Sequence, residues 1–206
     1  MIPKLASDRL KQAAELIRAG RLVAFPTETV YGLGANALDA GAVARIFAAK
    51  GRPATSPMIV HVDSVGMARS LAREWPDAAG ALARRHWPGP LTLVLPKRDS
   101  VPAIVTAGLP TVGLRMPAHP LALALIRAAG VPIAAPSANR FTQLSPTTAE
   151  HVRRGLGDAV DLILDGGTTP GGVPSTVVDC TSNPVKVLRE GPIPAVEIFE
   201  LLARRP

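Results

Sequence analysis

The chain has 206 residues, 47% of them apolar, which is enough for one substantial domain with a real core. Aromatics make up only 3%, so that core is aliphatic, and a base-stacking surface for single strands is disfavoured. Lys and Arg number 23 against 16 Asp and Glu, a formal charge of +7 that favours an anionic partner such as a nucleic acid, a nucleotide or phosphate. One cysteine, Cys180, excludes an internal disulfide and a multi-cysteine zinc site and fits a reducing cytosol. The N-terminal residues carry charges among their apolar positions, so no signal peptide is expected, and no apolar run is long enough to span a membrane.

In chain order, residues 7–19 read as a helix capped by Ser7, with Leu10, Ala13, Ala14 and Ile17 inward and Gly20 ending it. Residues 22–25 read as a strand. The stretch FPTETVYGLGANA (25–37) then reads as a functional connector, since polar groups held by a rigid strand end are a common way to present chemistry. Asp39 caps a helix that stops at Lys50 and Gly51. Residues 58–62 are a strand, 64–71 and 76–85 short helices. LTLVL (91–95) is expected to be buried on both faces. Residues 96–110 form an irregular excursion. Residues 111–116 are a strand, 120–129 a helix closed by Gly130, and 131–135 a strand running into Pro136-Ser137-Ala138-Asn139-Arg140. Thr147 with Glu150 has the capping-box pattern for a helix over 147–154. Strands over 162–164, 175–179 and 185–189 and a helix over 194–203 complete the chain. This interleaving predicts a single α/β domain, 1–206, with one mixed sheet flanked by helices.

Several chemistries are excluded. There is no P-loop motif and no GxSxG elbow, and the four histidines lack metal-site spacing. Gly32-x-Gly34-x-x-Ala37 matches a loose dinucleotide fingerprint. However, six residues separate it from Phe25, and Asp63 lies too far on to be the acidic partner. What remains is a set of cations and small polar groups at strand termini: Lys50, Arg52, Arg115, Ser137, Asn139, Arg140, Ser175 and Arg189. Each has a structural explanation alone. Together they suit a triphosphate or carboxylate held by positioning and charge neutralisation in a concave basic cleft.

Seven motifs in order, including KGRPATSPMIVHV (50–62), TVGLRMPAHP (111–120), APSANRFTQLSPTT (135–148) and GGVPSTVVD (171–179), resemble the YrdC/Sua5 family of threonylcarbamoyl-AMP synthases. The Lys50-x-Arg52 and Ser137-x-Asn139 pairs are the most specific. The resemblance implies a YrdC-like fold. It also implies synthesis of threonylcarbamoyl-AMP and pyrophosphate from L-threonine, bicarbonate and ATP with Mg²⁺, for the threonylcarbamoyladenosine modification of tRNA. It places L-threonine at Thr29, His61, Arg115, Ala135 and Ser175, with Arg115 as a bidentate fork. It places ATP at Arg52, Ser56, Thr111, Ser137, Ser145 and Arg189, and Lys50 and Asn139 near the phosphates with Arg52 and Ser137 in the catalytic set. No side-chain metal ligand is implied. Ser56 departs from the Asn common in relatives. The length resembles the short form, without the further domain of Sua5-type members. Gly32 and Gly34 are expected to let the backbone turn while Thr29 faces the amino-acid pocket. Implied partners are the transferase proteins that pass the adenylate to tRNA, with a tRNA contact open and no membrane partner; the compartment is the cytoplasm. Two alternatives remain: an RNA-binding module of the same fold, and a carbamoyl-transfer relative from hydrogenase maturation.

Overall fold

The computed structural model describes residues 4–203. In chain order it comprises helix α1 (Lys4–Arg18), strands β1 (Val23–Pro26) and β2 (Tyr31–Asn36), α2 (Ala40–Lys50), β3 (Ile59–His61), α3 (Val65–Leu71), α4 (Asp77–His86), β4 (Leu91–Pro96), β5 (Thr111–Arg115), α5 (Pro120–Ala129), β6 (Ile133–Ala134), α6 (Ala149–Leu156), β7 (Leu162–Ile163), β8 (Thr176–Asp179), β9 (Lys186–Arg189) and α7 (Ala195–Ala203). The nine strands form one mixed sheet in the order β7-β1-β2-β6-β3-β5-β4-β8-β9. Pairs β1–β7, β3–β5 and β4–β8 are parallel and the others antiparallel.

Alternation along the strands sends residues to opposite faces. One face carries Leu22, Ala24, Val60, Leu93, Leu114 and Val178 into the main core, against Val43 and Ile46 of α2, Leu71 of α3, Leu82 of α4, Val152 of α6 and Ile198 of α7. The other face is covered only at one end. There Ala13 and Ile17 of α1 and Leu125 and Ile126 of α5 close over Val23, Phe25 and Ile133. Beyond that end the same face of β3, β5, β4 and β8 is left open, and the cleft lies on it.

Several local expectations change. α1 begins before Ser7, so Ser7 lies within the helix rather than capping it. The stretch 25–37 is mostly not a connector. β1 and β2 form an antiparallel hairpin closed by Pro26↔Tyr31, and only residues 27–30 turn. Gly32 and Gly34 therefore serve strand packing, not the turn. A Cβ on Gly34 would lie 2.6 Å from the Phe25 ring and 2.8 Å from Ile133, so only glycine lets those side chains close over the strand. LTLVL is buried at every position except Val94, which is half-buried. Leu91, Leu93 and Leu95 enter the core, whereas Thr92 and Val94 line the cleft. Thr148, not Thr147, caps α6 by accepting from His151 N, which leaves Glu150 to pair with Arg153 and Arg154. The 96–110 excursion starts on the last residue of β4, adds only a bridge from Lys97 to Ala72, and is pinned by buried Val101 and Val105. Asp39 caps α2 as expected, Ser64 proves to cap α3, and Gly51 and Gly130 end α2 and α5 in the left-handed region with φ 60 and 67.

Candidate functional site

Sheet register builds the floor of the cleft. His61 of β3 lies beside Arg115 of β5, Ile59 beside Gly113, and Gly113 beside Val94 of β4. Thr92 of β4 pairs with Val177 of β8, which pairs with Arg189 of β9. These residues belong to the open face. The site thus lies across the middle of the sheet, not outside its strand ends. A bare Gly113 and Gly32 keep the floor low enough for a ligand to approach backbone. The walls come from the 27–30 turn, the segment after β6, and the loop before β8. Together they enclose about 410 Å³.

Of the residues expected from the sequence, Thr29, Arg52, His61, Thr111, Arg115, Ala135, Ser137, Ser145, Ser175 and Arg189 line this one cleft. Residues up to 160 positions apart in the chain meet there because the strand order interleaves them. Lys50, Asn139 and Ser56 do not line it. The Lys50 ammonium is buried and donates to the carbonyls of Ser137 and Asn139. Burial and neighbouring Arg52 bring its pKa down to about 8. Asn139 turns inward and donates to the Arg140 and Gln143 carbonyls at 2.7 and 2.8 Å. Both residues shape the 137–145 segment rather than face the cleft. Ser56 lies in the loop after α2, where its amide donates to the Pro53 carbonyl.

The inner end is the more tightly built. Arg115 is 4% exposed; its Nη2 donates to Glu28 Oε1 at 2.7 Å and to Thr29 Oγ1 at 3.2 Å, and its Nε to the Gly89 carbonyl at 3.3 Å. With Nε and Nη2 engaged within the protein, only Nη1 remains for a ligand, so the expected free bidentate fork is not present. Thr29 Oγ1 also bonds Thr27 Oγ1 at 2.8 Å, and Thr27 closes the turn by donating to the Val30 carbonyl. His61 is buried edge-on against Phe25 and its Nδ1 has no partner. Burial, and secondarily Arg115, push its pKa down to about 3, so the imidazole is neutral. Ser175 Oγ bonds Thr92 Oγ1 at 2.8 Å. The Ala135 amide is spent on the Ile59 carbonyl.

At the outer end Arg189 donates through Nε and Nη2 to the Ser175 carbonyl at 3.0 and 2.9 Å. Arg52 donates through Nη2 to the Pro57 carbonyl, and its buried Nε has no partner. Among the described residues the lining holds these arginines and no carboxylate, and no group of three or more His, Cys, Asp or Glu is placed to hold a metal. Among the lining residues no hydroxyl is hydrogen-bonded to a histidine or a carboxylate. The arrangement can bind, orient and neutralise anions. Sequence reasoning missed Glu28, Thr27 and Thr92. Glu28 is the only carboxylate in the 25–37 stretch, and Thr92 is the one polar residue in LTLVL; those were the signals available.

A family model covering Sua5, YciO and YrdC, described as "Telomere recombination", matches residues 15–191. The chain is 55% identical over 194 residues to the threonylcarbamoyl-AMP synthase of Pyrococcus abyssi, covering 94% of this chain and 57% of that one. It is 42% identical over 200 residues to a putative threonylcarbamoyl-AMP synthase of Mycobacterium tuberculosis (strain H37Rv), covering 97% and 92%. It therefore spans little more than half the length of the Pyrococcus relative. A crystal structure of P. abyssi Sua5 complexed with L-threonine superposes with a TM-score of 0.92 at 55% identity, over 94% of this chain and 57% of that one.

Proposed function

The chain belongs to the Sua5/YciO/YrdC family, and from that membership we propose that it is an L-threonylcarbamoyladenylate synthase. It would make threonylcarbamoyl-AMP and pyrophosphate from L-threonine, bicarbonate and ATP, acting as a nucleotidyltransferase. The observation that carries this reading is the cleft itself: a guarded inner subsite with one engaged arginine, continuous with an outer end holding Arg52 and Arg189, in a chain so close to a relative crystallised with L-threonine.

Arg115 Nη1, Thr29, Ser175 and the Ala135 backbone would hold the amino acid. Neutral His61 lines this end of the cleft without adding charge. Arg52, Thr111, Ser137, Ser145 and Arg189 would hold the nucleotide, with Ser56 contributing from the loop after α2. Lys50 and Asn139 would act by fixing the 137–145 segment. The threonine amine is carboxylated by bicarbonate with loss of water. The carbamate oxygen then attacks the α-phosphorus of ATP, and pyrophosphate leaves in line. No covalent protein intermediate is needed; the protein lowers the barrier by alignment and by spreading phosphate charge over Arg52 and Arg189. Mg²⁺ would enter with ATP as substrate, bound by the phosphates, since no carboxylate lines the cleft. The reading places the protein in the cytoplasm, supplying the adenylate to proteins that modify tRNA.

The test is pyrophosphate release in the presence of all three substrates and Mg²⁺. Release should vanish when threonine or bicarbonate is omitted; release without threonine would sink the reading. The charge of +7 favours the alternative of an RNA-binding module. That alternative requires RNA affinity that falls steeply with salt together with no threonine-dependent turnover.

A further inference from the structure

Three guanidinium groups share one cleft, and their surroundings are not equivalent. Arg52 is engaged by the Pro57 carbonyl and Arg189 by the Ser175 carbonyl and, at 3.3 Å, the Ser175 hydroxyl, and neither forms an ion pair among the described residues. Their charges are uncompensated. Arg115 is paired with Glu28 at 2.7 Å. Glu28 is fixed at both oxygens, because Oε2 accepts from Ala118 N at 3.1 Å. It does not line the cleft, so whatever it does there it does through Arg115. The Arg115 and Arg189 charges also sense each other: Arg115 adds to burial in holding Arg189 below the usual guanidinium range.

We propose that Glu28 is a specificity-determining positioning residue, which cancels the charge of Arg115 and occupies its Nη2 so that the inner subsite accepts a single carboxylate and refuses a polyphosphate. The inference rests on the synthase reading for the identity of the two ligands. Its physics is general. A triphosphate gains Coulomb energy from every net positive charge it approaches, and a neutral ion pair offers it little. A zwitterionic amino acid has no net charge to lose and needs only donors for its carboxylate, which Nη1 and its neighbours supply. The cleft thereby holds one paired arginine, Arg115, beside two unpaired ones, Arg52 and Arg189, and ATP is kept from occupying the place of its co-substrate at Arg115.

The test uses inorganic triphosphate and L-threonine, titrated calorimetrically into the wild-type protein, Glu28→Gln and Glu28→Asp. The wild type should bind one triphosphate, which threonine does not displace. Glu28→Gln keeps the size of the side chain but drops the charge. It should bind a second triphosphate at least ~10-fold more tightly than the wild type does, given one uncompensated charge discounted for solvent, and threonine should displace it. Glu28→Asp keeps the charge and should restore the wild-type pattern, which a merely structural role would not produce. In turnover, the KM for threonine should rise with ATP concentration in Glu28→Gln alone. A single triphosphate in folded Glu28→Gln, with a threonine KM independent of ATP, overturns the proposal. Glu28→Ala gives the same readout should the glutamine variant not fold. A wild-type protein that binds triphosphate but not threonine would defeat the synthase reading; the triphosphate stoichiometry would still decide the role of Glu28.

Discussion

Lys50→Met is the most informative substitution outside the cleft lining. It removes the donor to two carbonyls, those of Ser137 and Asn139. Bonds from a charged donor contribute about 1.5–3 kcal/mol each, so the gross loss is ~3–6 kcal/mol. Against this stands the cost of burying the ammonium. Lys50 is 3% exposed, and its pKa falls from 10.5 to about 8 with burial as the first cause, which corresponds to ~3 kcal/mol relieved by an apolar side chain. The sign is settled by proton binding. The folded pKa lies below the unfolded one, so the penalty is fully present below pH 8 and fades as pH rises toward 10.5; it therefore applies at pH 7. The two effects partly offset each other, leaving a net destabilisation of ~0–3 kcal/mol, or a melting shift of at most ~12 °C for a chain of this size. The local effect does not cancel. Ser137 and Ser145 lose the tether of their segment, and a displacement of about 1 Å at a reacting group costs ~100-fold. The expected result is a fall of about that size in kcat/KM for ATP, with faster amide exchange over residues 137–145 and a modest melting shift. Activity within ~5-fold of wild type, measured by pyrophosphate release on folded protein, would refute the view that Lys50 acts through this segment.

The remaining expectations concern the inner subsite and the sheet. His61 refuses a proton until about pH 3, whereas the unfolded chain takes one near 6.5, so stability should fall as pH drops through that window, by up to ~4–5 kcal/mol. Denaturant melts of His61→Gln should show a flatter acid limb; an unchanged slope would contradict the assignment. Arg115→Lys cannot reproduce the guanidinium geometry that engages Glu28, Thr29 and Gly89 together. It should raise the KM for threonine ~10-fold or more while leaving the KM for ATP nearly unchanged; an equal rise in both would remove its assignment to the amino acid. Gly34→Ala would place a methyl 2.6 Å from Phe25 and 2.8 Å from Ile133, and should destabilise by ~1–3 kcal/mol in thermal or denaturant unfolding.

The sequence by itself determined the order and kind of nearly every element, because caps such as Asp39 and Ser64, terminators such as Gly51 and Gly130, and short apolar strands are local signals. It also carried the residues of the cleft, since motif order survives without any knowledge of contacts. Only the tertiary structure decided which face those residues share. LTLVL has a single polar residue, Thr92, among apolar ones; that Thr92 and Val94 line the cleft instead of packing under a helix depends on α1 and α5 ending their cover at β6. The same limit explains Gly32 and Gly34, whose purpose is set by Phe25, Ile133 and Ala135 across the sheet rather than by their neighbours in the chain. It explains Lys50 and Asn139, which belong to the site's motif yet face its scaffold. Above all it explains Glu28. A carboxylate beside two threonines has no assigned partner in a sequence. Its charge acquires a function only when β5 brings Arg115 to within 2.7 Å, because electrostatic coupling depends on distance in space and not on separation along the chain.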